Sequence, residues 1–367
     1  MVVPEPLVQL TAGLAGRGDE LAVYLVYDRP ERESERPALA RLHFARRCAT
    51  DDMLEELIEN LRAIRAYVEV FDGEQKFASA LSSGRLRDLD RPLQIAYNGI
   101  GWGVGDGGFM PGRKALIPLL ADSYGVACTN ADGYTCAFTA HKFHCFAVLA
   151  ALGIPVPATW HYRLGYGWVG ERPREGARVI VKSTYEAYSV GVTSASVFDV
   201  DATLEQRVEN VATEIGQPVT VQEFVVGAEV CVPVISRNAP FAAPPVEAVV
   251  TRAPGDPTAF MTIEDTTSTG GYSHRLFEGS PELIDRLRTR AVEAFSALDL
   301  RGLSRLDFRV DTSGRPWLFD VAIEPVINSG SSAHRSFSAL GLDLATFQQL
   351  VFAASLDDLG LLMNKEG

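Results

Sequence analysis

"RLDFRVDTSGRPWLFDVAIEPVINSGSS" spans Arg305 to Ser332. It reads as a hairpin that turns near Thr312-Ser313-Gly314, breaks at Pro325 and opens into a loop rich in Asn, Ser and Gly. Alternation puts Leu318, Asp320, Ala322 and Glu324 on one face of the second strand, with Phe319, Val321 and Ile323 on the other. If Asp311 pairs with Pro316, Arg309 faces Leu318, Asp307 faces Asp320 and Arg305 faces Ala322; another loop type shifts this by one residue. Directly opposed side chains lie ~5 Å apart, and like charges there repel. Two facing carboxylates need a cation between them. Arg305 neutralises part of the charge, and Mg²⁺ shared with phosphate oxygens does so better. Two solvated carboxylates on a half-exposed sheet are the competing reading.

The chain around this hairpin has 367 residues, enough for two or three domains. With 47% hydrophobic and 22% charged residues it has ordinary globular composition. A formal net charge of -13 argues against nucleic acid or an anionic membrane as main partner, while leaving room for a local basic pocket. MVVPEPLVQL carries no signal-peptide pattern, and the longest apolar run, Phe146 to Ile154, is too short to span a bilayer. Five cysteines without a C-x-x-C pair suit a reduced, cytoplasmic protein. "HKFHC" brings His141, His144 and Cys145 together, but three ligands without a fourth read better as structural than as a metal site.

Residues 1–130 alternate strands and helices: LAVYLVY, a charged loop (DRPERESERP), DDMLEELIENLRAI, YVEVF, EQKFASALSS and LQIAYNG. That order implies an open parallel α/β sheet. Its third strand ends at Asn98 and enters GWGVGDGGF, and ligands bind at that end of such sheets. The rest reads as α+β, divided at 131–226 and 227–367. A helix, roughly TAHKFHCFAVLAALG, carries Lys142. Lys182 ends the strand RVIVK and precedes STYEAYSVGV, where Ser189, Val190 and Gly191 offer backbone N–H groups to an anion. TVQEFVV and EVCVPVI read as strands around a turn at Val226-Gly227-Ala228. An edge at Gln222, Glu223, Phe224 and Val225 would offer backbone groups to a purine, and Glu229 would accept from ribose.

The order of these features resembles the ATP-grasp enzymes, and within them the D-alanine–D-alanine ligase family. "VKSTYEAYSVGV" is similar to that family's V-K-P-x-x-E-G-S-S-V-G loop, "SRLDF" to its G-R-x-D strand, and "PWLFDVAIEPVINSGSS" to its strand ending in E-x-N-x-x-P-G. The resemblance implies an ATP-grasp fold: an open parallel α/β domain and two α+β lobes clasping ATP. It implies ATP contacts at Lys142, Lys182, Glu186, Ser189 to Gly191, Gln222 to Val225 and Glu229, and Mg²⁺ at Asp307 and Asp320. Arg305 would stabilise the oxyanion. Asn98, Tyr188 and the loop Ser329-Gly330-Ser331 would meet small amino acid substrates. A homodimer is the family's expectation.

The departures are as informative. The family's metal-binding Asn is Ala322, so Glu324, one alternation on, becomes the substitute ligand. Its bridging Glu is Asp320, and a substrate-touching Ser is Tyr188. Its Lys-Tyr pair has no counterpart in TIEDTTSTGGYSHRLF, which leaves His274 or Arg275 to supply the missing cation. The expected activity is ATP-dependent carboxylate–amine ligation through an acyl phosphate, between or within molecules, on an amino acid other than D-alanine. The alternative is a degenerate relative that binds nucleotide without forming a bond.

Overall fold

The computed structural model describes residues 3–28, 51–105 and 108–362. Most of the charged loop DRPERESERP, Cys48, and Asp106-Gly107 of the glycine-rich loop lie outside these residues. The first domain is a parallel sheet in the order Tyr67–Asp72, Leu21–Tyr27, Leu93–Asn98, Ala127–Cys128. Its three longer strands are those read from sequence; the two-residue fourth is too short to leave a pattern. The strand Leu21–Tyr27 is buried at six of seven positions, as a central parallel strand must be. The core on one face is completed from far along the chain. Leu25, Leu57 and Tyr97 share it with Phe337, Phe347 and Phe352, because the helix Leu344–Asp358 packs against Glu5–Gly16 and Asp51–Arg62.

Two antiparallel sheets follow. One runs Val197–Asp199, Arg178–Ser183, Val219–Glu223, Thr159–Arg163, Gly167–Val169. The other runs Tyr272–Leu276, Val246–Val250, Gly227–Ile235, Leu303–Asp311, Pro316–Ala322. The expected hairpin around Val226-Gly227-Ala228 is not formed. Val219–Glu223 and Gly227–Ile235 belong to different sheets, and the chain crosses between lobes at residues 224–226. Gly227 is required at the landing point, because a Cβ there would meet the Val310 carbonyl oxygen at 1.9 Å. Val219–Glu223 is also an interior strand rather than an edge. The Glu223 N–H donates to the Ala158 carbonyl and the Phe224 N–H to that of Arg178. Open backbone is therefore confined to the crossing itself.

The helix expected across residues 139–153 is two helices, Gly133–Ala140 and Lys142–Ala151. His141 leaves helical geometry, and its Nδ1 caps the second helix by accepting from the His144 N–H at 3.3 Å. Among the described residues no helix is long and apolar enough to cross a membrane, and the four described cysteines are free and buried.

Candidate active site

The two antiparallel sheets and one helix end of the first domain enclose a cleft of about 620 Å³. Its floor is the opening hairpin. Asp307 pairs with Asp320 and Arg305 with Ala322, but beyond them the register slips: Phe308 meets Leu318 and Val310 meets Pro316. A bulge between Asp307 and Phe308 absorbs the extra residue, Phe319. Two consequences correct the face assignment made from strict alternation. Leu318 joins the apolar core with Leu306 and Phe308, while Phe319 lines the cleft. The Phe319 carbonyl, released from the ladder, accepts from Lys182 Nζ at 2.9 Å.

Lys182 is held from both sides, since its Nζ also donates to Gln222 Oε1 at 2.9 Å. Gln222 is oriented in turn by donating from Nε2 to Thr159 Oγ1. Burial, reinforced by Lys142, pulls the Lys182 amine down to about 8. Lys142, the first residue of its helix, donates from Nζ to the Glu186 carbonyl. The Glu186 carboxylate is committed elsewhere: it accepts from the Gly103 N–H and from Gln217 Nε2, both at 3.0 Å. Glu186 therefore clasps the glycine-rich loop to the central lobe, instead of offering its carboxylate to ATP. A Cβ on Gly103 would lie 2.8 Å from Glu186 Oε1, so any larger residue there would push the carboxylate aside. In the adjoining loop, Tyr188 and Ser189 both adopt φ near +60°, at 57° and 59°. Such geometry costs non-glycine residues roughly 1–2 kcal/mol each and concentrates at functional sites. Of the three N–H groups expected to face an anion, that of Val190 turns inward to the Ala187 carbonyl.

Arg305 grips Asp307 through two 2.7 Å hydrogen bonds and reaches Ser332 Oγ with its third nitrogen. Burial raises the Asp307 carboxyl despite Arg305. Burial also opposes ionisation of Asp320, but Lys142, Lys182, Arg305 and Lys114 together hold it below the usual carboxylate range. This hard-oxygen pair would suit a Mg²⁺ ion. The third carboxylate does not join it. Among the described residues no three His, Cys, Asp or Glu side chains converge as a ligand set. The strand ends at Ala322, so alternation no longer aims Glu324. It faces Asn98, Lys114 and Cys136 instead, and burial pushes its carboxyl up to about 8. Nor do His141, His144 and Cys145 converge as a ligand set.

Other expectations change as well. Asn98 lies beneath the cleft, bonded to the Lys114 carbonyl and the Ile100 N–H, and lines a smaller adjoining cavity with Tyr188, Glu324 and Asn328. Ser329, Gly330 and Ser331 line the main cleft, with Ser331 also capping the helix Ser332–Ser338. His274 reaches the cleft and contacts the Gly330 carbonyl at 3.4 Å, but burial and Arg305 pull it down to about 4, so it is neutral near pH 7. Arg275 alternates to the opposite face and pairs with Glu247. Neither supplies the missing cation. Two residues escaped the sequence reading. Lys114 enters the cleft from the first domain. Arg309 ties the crossing together by donating to the carbonyls of Val225, Pro257 and Ala259, beside Phe224 and Glu229. Glu229 is raised by burial against the pull of Arg309.

The family model described as "D-ala D-ala ligase C-terminus" matches residues 171–353. A D-alanine–D-alanine ligase of Xanthomonas axonopodis pv. citri is 28% identical over 306 residues, covering 82% of this chain and 88% of the relative. The crystal structure of the Bacillus anthracis D-alanine–D-alanine ligase complexed with ATP superposes with TM-score 0.64 at 15% identity, over 92% of this chain and 98% of that one. The VanG D-Ala:D-Ser ligase of Enterococcus faecalis gives 0.61 at 14% identity, over 94% of this chain and all of its own.

This chain is an ATP-grasp ligase of the D-alanine–D-alanine ligase-like group. Its cleft is the ATP-grasp clasp, and the crossing at residues 224–226 is the link between the two grasping lobes. The expectation that D-alanyl-D-alanine is not the product finds no support among the relatives, and the degenerate alternative is not favoured.

Proposed function

We propose that this ATP-grasp ligase joins the carboxylate of one small amino acid to the amine of another, with D-alanine the first candidate for both places. One observation carries the reading. In a chain of formal net charge -13, Lys114, Lys142, Lys182 and Arg305 gather around Asp307 and Asp320 in a single cleft. Such a local surplus of cations matches a polyphosphate and a developing oxyanion. Lys142 and Lys182 hold the phosphates, Phe224, Val225 and Phe260 wall the base, and Glu229 takes the ribose. Mg²⁺ at Asp307 and Asp320, when bound, neutralises charge on the phosphates.

A carboxylate cannot expel oxide, so its oxygen first attacks the terminal phosphorus. The bond to the bridging oxygen breaks and ADP leaves. The amine then attacks the acyl carbon and phosphate departs as the amide forms. The one Arg305 nitrogen not spent on Asp307, Nη1, stabilises the tetrahedral oxyanion. Tyr188, Asn98 and the 329–331 loop bound the amino acid space. ADP release measured with Mg²⁺, ATP and single or paired D- and L-amino acids tests the proposal. The expected result is amino-acid-dependent ADP release with one dipeptide formed per ADP. ADP release that no amino acid stimulates overturns it. A cytoplasmic homodimer is part of the same proposal, with sedimentation as the check on assembly.

A further inference from the structure

Lys114 stands in the cation cluster described above without a role of its own. Its placement is rigid. The preceding residue, Arg113, is fully buried at the start of the helix Arg113–Ser123. Arg113 donates to both oxygens of Asp28, both oxygens of Glu74 and the Val104 carbonyl, all within 3.1 Å. Asn98 Nδ2 donates to the Lys114 carbonyl from below. The backbone of Lys114 is thus fixed on both sides while its side chain runs into the cleft.

No described residue gives that amine a hydrogen bond or ion pair. Its electrostatic neighbours are Lys142, Glu186, Glu324 and Asp320. Glu186 is committed to Gly103 and Gln217, and Asp320 is shared among four cations. An enclosed amine that only shares a counterion gains from a ligand that brings negative charge. Elsewhere in the cleft lining His274 is neutral near pH 7, and Arg275 faces away and pairs with Glu247, so neither offers a cation to the end of a polyphosphate.

We infer that Lys114 of the first domain binds the terminal phosphoryl group of ATP, the group in transfer, and so supplies the cation that His274 and Arg275 do not. The inference rests on the ATP-dependent reading above. Lys142 and Lys182 hold the inner phosphates from the central lobe. Lys114 completes the set from a different domain, so the first domain is needed for recognising a triphosphate and not only for the amino acid.

The test is nucleotide binding with Mg²⁺, measured by calorimetry on the full chain with ADP and with a non-hydrolysable ATP analogue. Wild type should bind the analogue more tightly than ADP. Lys114→Met should erase this preference by weakening the analogue about tenfold or more, the scale of one charge-assisted hydrogen bond, with ADP unchanged. Lys114→Arg should restore part of it. The same Lys114→Met protein should melt higher than wild type without nucleotide, because an unpaired enclosed amine has been removed. Lys114→Gln is run beside it in case the Met variant does not fold. Equal weakening of ADP and analogue, an unchanged preference, or a wild type that never prefers the analogue overturns the inference. If ADP release proves independent of every amino acid while the Lys114-dependent preference persists, the ligase reading falls and this one stands.

Discussion

Glu324→Gln tests how the cleft is charged. The Glu324 carboxyl is enclosed by Asn98, Cys136 and Lys114, and burial moves it from 4.5 to about 8. Above pH 4.5 the unfolded chain has released a proton that the folded chain still holds. A raised carboxyl of this kind costs native stability progressively as pH climbs from 4.5 to about 8, and the whole cost is present above that. The gap, 8 − 4.5 = 3.5, corresponds to roughly 5 kcal/mol if no water enters. The residue is only half-buried, so water reaching it through the cleft reduces this, and we expect about 2–4 kcal/mol. Glutamine keeps the shape and cannot ionise. The variant should therefore match wild type near pH 5 and exceed it by that amount near pH 9. Urea unfolding of both proteins at several pH values measures the difference. A difference that stays flat with pH, or a variant less stable at pH 9, refutes the reasoning and shows Glu324 ionised and paired in the fold. Magnesium half-saturation should be unchanged in the same variant.

Arg113→Met leaves the Asp28 and Glu74 carboxylates facing each other without their shared cation, and should cost about 3–5 kcal/mol in urea unfolding. Gln222→Leu removes one of the two acceptors that fix Lys182; ATP KM should rise about tenfold, read from initial rates. Ala322→Asn restores an oxygen donor beside Asp320, opposite Arg305, and should lower the magnesium concentration for half-maximal rate.

The hairpin shows where sequence reasoning reached and where it stopped. Pairing of Asp307 with Asp320 followed from setting Asp311 opposite Pro316; Val310 takes that place instead, and the carboxylate pair survives because the bulge takes up the one-residue slip. Nothing local marks Phe319 as the extra residue, since the bulge is set by packing of Leu318 into the core beneath. The parallel first domain was legible from its alternation of strands and helices. The interior position of Val219–Glu223 was not, because a strand with neighbours on both sides and an edge strand read alike when the partners come from distant segments. Lys114 escaped for the same reason. Its neighbours in sequence describe an ordinary helix start, and its chemistry appears only once the first domain abuts the hairpin. Glu324 was misread because alternation was extended past Ala322, where the strand ends.

The core shared by residues near each end of the chain has a consequence for synthesis. Leu7, Leu25, Leu57 and Tyr97 emerge early from the ribosome, but Phe337, Phe347 and Phe352, which cover them, emerge some 240 residues after Tyr97. Domains made first ordinarily fold first. Here the first domain keeps one apolar face open until the helix Leu344–Asp358 has been made.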